Sequence, residues 1–432
     1  MIWVRSARSD FLQGSNRLPF AAAADPYIRI FGTPACPAPS SHLMSHPILP
    51  SAGHIRYDHV DPDLGFSYLS PEPDPLRVKL GPLEIGDGLP AMVIAEIGQN
   101  HNGDMDLAKR LIEMAARAGA DAVKFQKRDI RSDLNGEAYV RPYVNPNSFG
   151  ATYGEHREFL ELDAAQHEEL RDYAVEHGLM YFCTACDAQS VEEMERLGNP
   201  VYKVASRDLT NVPLLQVLAE TGKPVILSTG MAGLDETREA IDALGDGPSA
   251  VLLMQCISQY PAELERVNLR AMKTLRNEFG LLVGLSDHTA GVIASVAASV
   301  LGACMVEKHV TLSRAMKGTD HAASLEEEGL YRVAKYIRET AVALGTGDKE
   351  IDPASATARD KLARSLTTRR ALSAGTVLSE ADLVVKSPGT GIAWRDRGRV
   401  IGRTLTVDVP ADHLVTYEHV GLEAQPAQTH EV

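Results

Sequence analysis

Residues 282–310 have the sequence LVGLSDHTAGVIASVAASVLGACMVEKHV, in which an apolar run, a helical segment and a second apolar run follow one another. The first run, Leu282 to Ser286, leads to His288, and the second run, Met305 to Val310, contains His309. Two short strands joined by a helix are typical of a parallel sheet whose faces are covered by helices. This stretch therefore predicts one strand-helix-strand unit with a histidine at the end of each strand.

The same alternation continues from Leu89 to about Leu344, and apolar residues between the runs recur three and four positions apart, as on one helix face. The predicted strands are Met92–Ile97, Ala122–Gln126, Met180–Thr184, Val201–Ser206, Val225–Ser228, Val251–Cys256, Leu282–Ser286 and Met305–Val310. Eight strand-helix units over roughly 255 residues match a (β/α)8 TIM barrel in number and size. A doubly wound sheet is the alternative, but no glycine-rich dinucleotide turn follows the first strand.

Polar residues stand at or just beyond the end of every predicted strand. They are Glu96, Lys124, Gln126, Thr184, Lys203, Ser206, Ser228, Ser258, Tyr260, Ser286, His288, Glu307 and His309. Enzymes with this fold place their chemistry at the C-terminal ends of the strands. We therefore predict a functional site at this rim of the barrel.

The two histidines at the strand ends are candidate metal ligands. Because side chains alternate along a strand, His288 shares a face with Ser286, and His309 shares one with Glu307. If the two strands are neighbours, both imidazoles reach the same rim, where a divalent metal could bind between them. Two unrelated histidines at strand ends are the alternative. Glu307 is expected to support the ligands rather than bind the metal itself.

Two lysines in apolar runs indicate an anion site. Lys124 and Lys203 would be costly to bury without a counter-charge, and hydroxyl side chains accompany them at the strand ends. Glu96 and Asp320 supply carboxylates for acid-base chemistry. This combination favours the addition of a phosphorylated enol to an aldehyde. A lysine Schiff-base aldolase is the rival, and it would need one lysine kept neutral by burial.

Composition excludes several classes of partner. The net charge of -15 argues against nucleic acid, whose phosphates are met by an excess of Lys and Arg. The five cysteines lie mostly inside apolar runs, which implies no disulfide framework and suits a reducing compartment. No apolar stretch reaches the length of a membrane span. We therefore expect a cytoplasmic protein without a nucleic-acid or membrane partner.

The first part of the chain differs from the rest. Residues 1–80 are rich in Pro, Ser and Ala, show no sustained periodicity and lack the pattern of a secretory signal. We predict a poorly ordered or irregular extension over 1–80 and the barrel domain over 81–345.

Five motifs carry a resemblance to a known family. AEIGQNHNG (95–103), AGADAVKFQ (118–126), LSTGM (227–231), SDHT (286–289) and EKH (307–309) closely resemble the sialic acid (N-acetylneuraminate) synthase family over residues 90–420. Members of that family are C–C bond-forming transferases that condense phosphoenolpyruvate with an N-acetylated amino sugar, such as N-acetylmannosamine, to give a nine-carbon keto acid and phosphate. The resemblance implies the same metal-dependent reaction here.

The C-terminal part extends the resemblance. Residues 361–425, with RRAL (369–372) and KSPG (386–389), are similar to the antifreeze-like SAF domain that follows the barrel in this family. Residues 346–360 would be a linker and 426–432 a tail. The resemblance implies a domain-swapped homodimer in which the SAF domain reaches over the partner's barrel. Composition alone indicates only a small β-rich module.

The resemblance also implies roles for individual side chains. His288 and His309 would bind Mn²⁺ or Mg²⁺, and Glu96 and Asp320 would be catalytic. The residues implied to bind phosphoenolpyruvate are Lys124, Thr184, Lys203, Ser206, Ser228, Ser258 and Ser286. Those implied to bind the open-chain sugar are Gln126, Tyr260 and Asp320.

Four departures from the family pattern concern the substrates. CTACD (183–187) replaces the usual STPFD, Arg207 follows Ser206 where glycine is usual, and Ser258 replaces an asparagine. Ser387 replaces the arginine that reaches the N-acetyl group of the sugar, and a serine cannot supply a guanidinium fork. The acceptor therefore stays open. A legionaminic, pseudaminic or divergent nonulosonic acid synthase is the first alternative, and an inactive sugar-binding protein is the remote one.

Overall fold

Eight parallel strands close into a barrel in the computed structural model, which describes residues 75–423. The strands are β1 (Arg77–Leu80), β2 (Leu83–Gly86), β3 (Met92–Gly98), β4 (Ala122–Lys127), β5 (Met180–Ala185), β6 (Tyr202–Val204), β7 (Val225–Ser228), β8 (Val251–Cys256), β9 (Val283–Asp287), β10 (Met305–His309), β11 (Ser365–Thr368) and β12 (Leu383–Lys386). The helices are α1 (Met105–Arg117), α2 (Ile130–Asp133), α3 (Gly136–Val140), α4 (Tyr153–Leu160), α5 (Ala164–Glu176), α6 (Ala188–Arg196), α7 (Val212–Glu220), α8 (Leu234–Leu244), α9 (Leu264–Val267), α10 (Ala271–Phe279), α11 (Ile293–Val300), α12 (Glu327–Leu344) and α13 (Ala356–Leu362).

The barrel consists of β3 to β10, each hydrogen-bonded to its neighbours in chain order, and β10 closes the ring against β3. The prediction of a (β/α)8 barrel is confirmed. The largest difference from the predicted strands is at β6, which ends at Val204 because the chain turns into a 3-10 helix at Ser206–Asp208. Ser206 therefore stands on a turn beyond the strand rather than on the strand itself.

The helices cover the barrel with one apolar face each, and α1 illustrates the reason. Leu107, Leu111 and Ile112 recur at helical spacing and are buried against the strands. The side chain of Asp104 caps the first turn by accepting a hydrogen bond from the Leu107 amide. The chain leaves the helix through Gly119 at φ +82°, a backbone conformation that glycine adopts without strain.

The interior of the barrel changes from apolar to charged along its axis. The lower interior is filled by side chains such as Ile94, Phe182 and Met254, which are fully buried. Towards the C-terminal ends of the strands, Lys124 and Glu307 take their place. The apolar layer supports the polar one, so the site rests on a packed core rather than on loops.

A hairpin closes the lower end of the barrel. Strands β1 and β2 pair antiparallel, and their Leu80 and Ile85 side chains pack into the same cluster as the lower interior. Burying two such side chains contributes about 1.5–3 kcal/mol each, which is why residues 77–80 are ordered. This corrects the upper bound of the irregular extension predicted over 1–80. The rest of that prediction, residues 1–74, lies outside the described residues.

A small β-rich domain follows the barrel. Strands β11 and β12 pair antiparallel, and Leu366, Leu383, Val400 and Val415 are fully buried in a core of their own. The predicted β-rich C-terminal domain is therefore confirmed. Helix α13 occupies the end of the predicted linker, and the predicted tail 426–432 lies outside the described residues. Between residues 75 and 423, no helix is both long and apolar enough to cross a membrane.

Candidate active site

A buried cluster of charges occupies the upper interior of the barrel. The Nζ atom of Lys124 lies 2.7 Å from Oε2 of Glu96 and 3.6 Å from Oε1 of Glu307, and it donates a 3.0 Å hydrogen bond to Oγ1 of Thr184. The Nζ atom of Lys203 donates a 2.5 Å hydrogen bond to Oγ of Ser228. All six side chains are buried, so the charges interact with little screening by water.

The strand register explains why these side chains meet. Glu96 and Lys124 are direct partners across β3 and β4, and Thr184 lies on β5 beside Gln126 of β4. Because side chains alternate, Glu96, Lys124 and Glu307 all reach the interior while their neighbours face the helices. Residues from three strands thus assemble around one ammonium group without any loop.

Burial and charge set the protonation of this cluster. Burial raises the pKa of Glu96 to about 7, although the Lys124 ammonium works in the opposite direction. Burial also acts to raise the pKa of Glu307, but Lys124 and Lys203 outweigh it and hold that pKa below its usual range. Glu96 can therefore exchange a proton near neutral pH, whereas Glu307 stays ionised.

The pKa values of the two lysines are shifted in opposite directions. Burial lowers the pKa of Lys203, which has no carboxylate as close as those beside Lys124. Burial acts on Lys124 as well, but Glu307 and Glu96 raise the pKa of Lys124 above its ordinary value. Lys124 is therefore firmly charged, and Lys203 is the lysine whose charge an incoming anion would stabilise most.

The predicted histidine pair is formed at the end of β9 and β10, with 5.5 Å between the two ring centroids. Nδ1 of His288 lies 2.7 Å from the carbonyl oxygen of Ile257, so that nitrogen carries the proton. Nε2 of His288 keeps its lone pair and lies 3.0 Å from Oη of Tyr260 and 3.4 Å from Oγ of Ser286. Nδ1 of His309 is buried and has no hydrogen-bond partner in the described part of the chain.

The donor set fits a divalent metal. Within residues 75–423 no three His, Cys, Asp or Glu side chains form a complete metal cage. Nδ1 of His309 lies 4.0 Å from Oδ2 of Asp320, and Nε2 of His288 carries a lone pair directed at the hydroxyl of Tyr260. These two nitrogens nevertheless offer two imidazole ligands with a carboxylate nearby. Mg²⁺ and Mn²⁺ prefer oxygen ligands and keep several waters, so the Asp320 carboxylate and water would complete the set that the two imidazoles begin.

A cavity of about 290 Å³ opens above the charged cluster. Its lining residues are Gln99, Gln126, Arg128, Tyr143, Tyr153, His156, Arg157, Thr184, Cys186, Ala205, Ser206, Arg207, Met231, Ser258, Tyr260, His309, Thr319 and Asp320. Of the predicted site residues, Glu96, Lys124, Lys203, Ser228, Ser286 and His288 do not line the cavity and are buried. Every predicted site residue of the barrel is therefore at this one end, while Ser387 of the small domain does not line the cavity.

Sequence reasoning missed one wall of this cavity. Arg128, Tyr143, Tyr153, His156 and Arg157 all come from the connection between β4 and α5. The length of this connection could have indicated the wall, because connections this long are uncommon in compact domains unless they are functional. The segment is also rich in aromatic and basic residues.

Comparison with known proteins identifies the family of this chain. Residues 111–349 match the NeuB family, and residues 363–421 match the SAF domain. The chain belongs to the NeuB family. This sialic and nonulosonic acid synthase family is the one that the sequence motifs predicted, and the prediction is confirmed.

Relatives of this NeuB-family chain carry synthase names. The chain is 37% identical over 349 residues to human N-acetylneuraminate-9-phosphate synthase, which covers 80% of this chain and 97% of the human protein. It is 38% identical over 341 residues to N,N'-diacetyllegionaminic acid synthase of Legionella pneumophila. The match covers 78% of this chain and 96% of the Legionella protein. The crystal structure of N-acetylneuraminic acid synthetase from Leptospira borgpetersenii in complex with citrate superposes with a TM-score of 0.58 at 29% identity. The superposition covers 66% of this chain and 95% of the Leptospira chain.

A buried network behind the SDHT motif of this NeuB-family barrel positions His288. Oδ2 of Asp287 lies 2.9 Å from Nζ of Lys308 and accepts a 2.6 Å hydrogen bond from Oγ of Ser295, and its Oδ1 accepts one of 2.8 Å from the Thr289 amide. The network fixes the turn on both sides of His288. The imidazole is therefore held by the sheet and α11 together.

Proposed function

We propose that this protein condenses phosphoenolpyruvate with an N-acetylated amino sugar, of the N-acetylmannosamine type, to form a sialic-acid-like nonulosonic acid and phosphate. The observation that supports this most is the buried group of two ammonium and two carboxylate side chains beneath a polar cavity. His309 lines this cavity, and its ring centroid lies 5.5 Å from that of His288. The names of the relatives agree with an N-acetylated acceptor.

Phosphoenolpyruvate carries two anionic groups, and the barrel offers two ammonium groups for them. Lys124 is paired with Glu96 and Glu307, whereas Nζ of Lys203 donates hydrogen bonds to the Ser228 hydroxyl and the Val204 carbonyl oxygen. The hydroxyls that would complete the pocket belong to Thr184, Ser206, Ser228, Ser258 and Ser286. Charge-assisted hydrogen bonds of this kind are strong in a water-poor interior.

The imidazoles of His288 and His309 would hold Mn²⁺ or Mg²⁺, which when bound supplies Lewis-acid polarisation of the sugar aldehyde. Gln126, Tyr260 and Asp320 line the cavity beside this pair and would hold the open-chain sugar. Their role is orientation, which brings the aldehyde carbon within reach of C3 of phosphoenolpyruvate.

Proton transfer would fall to Glu96. C3 of phosphoenolpyruvate bonds to the aldehyde carbon, water then adds at C2, and phosphate leaves by cleavage of its C–O bond. Water must lose a proton as it adds, and Glu96 has a pKa of about 7 because of its burial. Oε1 of Glu96 also accepts a 2.8 Å hydrogen bond from Nε2 of Gln126, which links the base to the sugar side of the cavity.

A domain-swapped homodimer belongs to the same proposal. Within one chain, Oγ of Ser387 donates a 3.1 Å hydrogen bond to the carbonyl oxygen of Leu362 and does not line the barrel cavity. A contact between Ser387 and an acceptor would therefore come from the partner subunit. A single dimeric species in analytical ultracentrifugation is the expected oligomeric state.

Phosphate release tests the reaction. The protein, phosphoenolpyruvate and MnCl₂ are incubated with N-acetylated aldoses in turn, including N-acetylmannosamine and a di-N-acetylated 6-deoxyhexose. We expect stoichiometric release of phosphate and formation of a keto acid with at least one acceptor. Absence of turnover with every acceptor would leave the inactive sugar-binding protein as the better interpretation.

Lys203→Ala tests the assignment of the anion pocket. We expect the KM for phosphoenolpyruvate to rise about 10- to 100-fold, as for loss of a charged hydrogen bond of about 1.5–3 kcal/mol, with less than a threefold change for the sugar. Initial-rate measurements with each substrate varied in turn provide the check. Lys273→Ala on α10 is the control. Equal losses for both substrates would contradict the assignment.

A further inference from the structure

The NHNG turn (residues 100–103) follows β3 and leads into α1, and the reaction proposed above uses none of its side chains. Asn100 is buried, and Asn102 has φ +51°, a left-handed conformation that is uncommon for residues other than glycine. Both asparagines donate hydrogen bonds to one remote segment, the connection between β10 and α12 (residues 310–326). That connection carries Asp320, which ties the turn to the site.

Asn100 holds the base of the β10–α12 connection. The two ends of the connection meet where Val310 forms an isolated parallel bridge with Leu325. Nδ2 of Asn100 donates to the carbonyl oxygen of Val310 at 2.8 Å and to Oγ of Ser324 at 2.9 Å. Oγ of Ser324 in turn donates a 2.7 Å hydrogen bond to the carbonyl oxygen of Asp320. The closed base therefore leaves the middle of the connection as the part that still needs support.

Asn102 holds this middle part. Its Nδ2 donates a 2.9 Å hydrogen bond to the carbonyl oxygen of Lys317, which leaves Oδ1 as an acceptor 3.4 Å from Nε2 of His321. Nε2 therefore carries the proton, and Nδ1 of His321 accepts a 2.7 Å hydrogen bond from Oγ1 of Thr311. One amide group thus contacts the chain on both sides of Asp320.

Gly318 shows how closely this segment is packed. Its φ is +144°, and a Cβ atom added to it would lie 2.6 Å from Cδ2 of His321 and 3.2 Å from Oδ1 of Asn102. The first of these distances is far shorter than a van der Waals contact between carbon atoms. The backbone that leads to Asp320 therefore packs directly on the side chains of Asn102 and His321.

The Asp320 carboxylate faces His309 as a result. Oγ1 of Thr319 donates a 2.9 Å hydrogen bond to Oδ1 of Asp320, and Oδ2 lies 4.0 Å from Nδ1 of His309. Asp320 precedes a single 3-10 turn and belongs to no strand, so its position depends on the contacts of the surrounding backbone. A misplacement of about 1 Å at a reacting centre can cost on the order of 100-fold in rate.

We propose that Asn102 is a positioning residue for Asp320, and that its hydrogen bonds to Lys317 and His321 keep the carboxylate beside His309. The proposal rests on the proposed function for the role of Asp320, which is to hold the sugar and to complete the metal ligands. Asn102 itself does not line the cavity. Its effect on the reaction is therefore exerted through Asp320.

Asn102→Gly removes the side chain without straining the turn, because glycine adopts φ +51° freely. We expect the affinity for Mn²⁺, measured by paramagnetic resonance, to fall about 10- to 100-fold, as for other residues that orient a ligand. The KM for the sugar should rise about 10-fold, and the KM for phosphoenolpyruvate should change less than threefold. Asn268→Gly is the matched control, since Asn268 has φ +48° and is exposed.

A double-mutant cycle shows whether Asn102 acts through Asp320. Asp320→Asn should by itself weaken Mn²⁺ binding and raise the KM for the sugar. Adding Asn102→Gly to that variant should then cost less than a further threefold, because the carboxylate that Asn102 positions is already lost. Full additivity of the two changes would overturn the proposal, since Asn102 would then act through another group.

Limited trypsin digestion tests the connection itself and needs neither substrate nor metal. Lys317 is exposed, and its carbonyl oxygen is the one that Asn102 binds. We expect cleavage after Lys317, identified by mass spectrometry, to be about 10-fold faster in Asn102→Gly than in the wild-type protein, because local opening becomes easier. Asn268→Gly should be cleaved there at the wild-type rate.

Three further results would overturn the proposal. Unchanged cleavage after Lys317 in Asn102→Gly would show that Asn102 does not hold the connection. Faster cleavage with unchanged Mn²⁺ affinity and sugar KM would make Asn102 a structural contact only. Absence of both Mn²⁺ binding and turnover in the wild-type protein would remove the role of Asp320. Failure of turnover alone would contradict the proposed function, and Mn²⁺ binding together with proteolysis would still decide the role of Asn102.

Discussion

His309→Ala is expected to reduce metal-dependent phosphate release below detection while leaving the barrel folded. The imidazole stands at the end of β10, and its buried Nδ1 has no hydrogen-bond partner, so truncation breaks no polar contact of that atom. Its removal takes away one of the two imidazoles offered to the metal, together with the ring that faces Asp320. Phosphate release during an MnCl₂ titration measures the loss.

Two further measurements separate metal binding from folding. Mn²⁺ paramagnetic resonance should show bound metal in the wild-type protein and a strongly weakened site in His309→Ala. Far-ultraviolet circular dichroism should be unchanged. His177→Ala, at the exposed C-terminus of α5, is the matched control. Substantial metal-stimulated activity in His309→Ala would mean that the metal binds elsewhere.

Glu96→Gln is expected to lower kcat about 10²- to 10⁴-fold, the usual contribution of a positioned acid-base group. Glutamine keeps the size of the side chain and can still contact Gln126, so the shape of the site is preserved. Lys124 keeps Glu307 as a counter-charge, so the KM for phosphoenolpyruvate should change less than kcat. Single-turnover and steady-state rates check this, with the exposed Glu265→Gln as control.

The pH profile provides a second test of Glu96. Burial raises the pKa of Glu96 to about 7, so the carboxylate able to accept a proton predominates above that pH. If it acts as the base, kcat/KM of the wild-type protein falls as the pH drops below 7. Glu96→Gln should lose this limb of the profile. A limb of unchanged position in the variant would assign the proton transfer to another group.

The upper interior of the barrel could be predicted from the sequence because strand geometry is regular. Alternation of side chains determines which residues face inward, and the order of neighbouring parallel strands follows the chain. Glu96, Lys124 and Glu307 could therefore be expected at one end, and so could His288 beside His309. The structure brings all five together.

The wall of the cavity could not be predicted in the same way. Arg128 and Arg157 lie on an irregular connection without periodicity, and their placement depends on contacts with Glu161, Tyr153 and Gln126. The ion-pair partners of a charged side chain are equally impossible to predict from the sequence. The sequence contains both arginines, but only packing shows that, within residues 75–423, Asp133 pairs with Arg207 while Arg157 contacts Tyr153.

The sequence by itself determined the family, the eight-stranded barrel and the identity of the side chains at its C-terminal rim, because short-range periodicity and ordered motifs encode them. Only the tertiary structure decided which of the charged side chains at the rim have a counter-charge nearby. Burial and distance, which arise when remote segments pack together, make Glu96 a group that can exchange protons near neutral pH. Within residues 75–423, the same long-range packing leaves Nδ1 of His309 buried and without a hydrogen-bond partner.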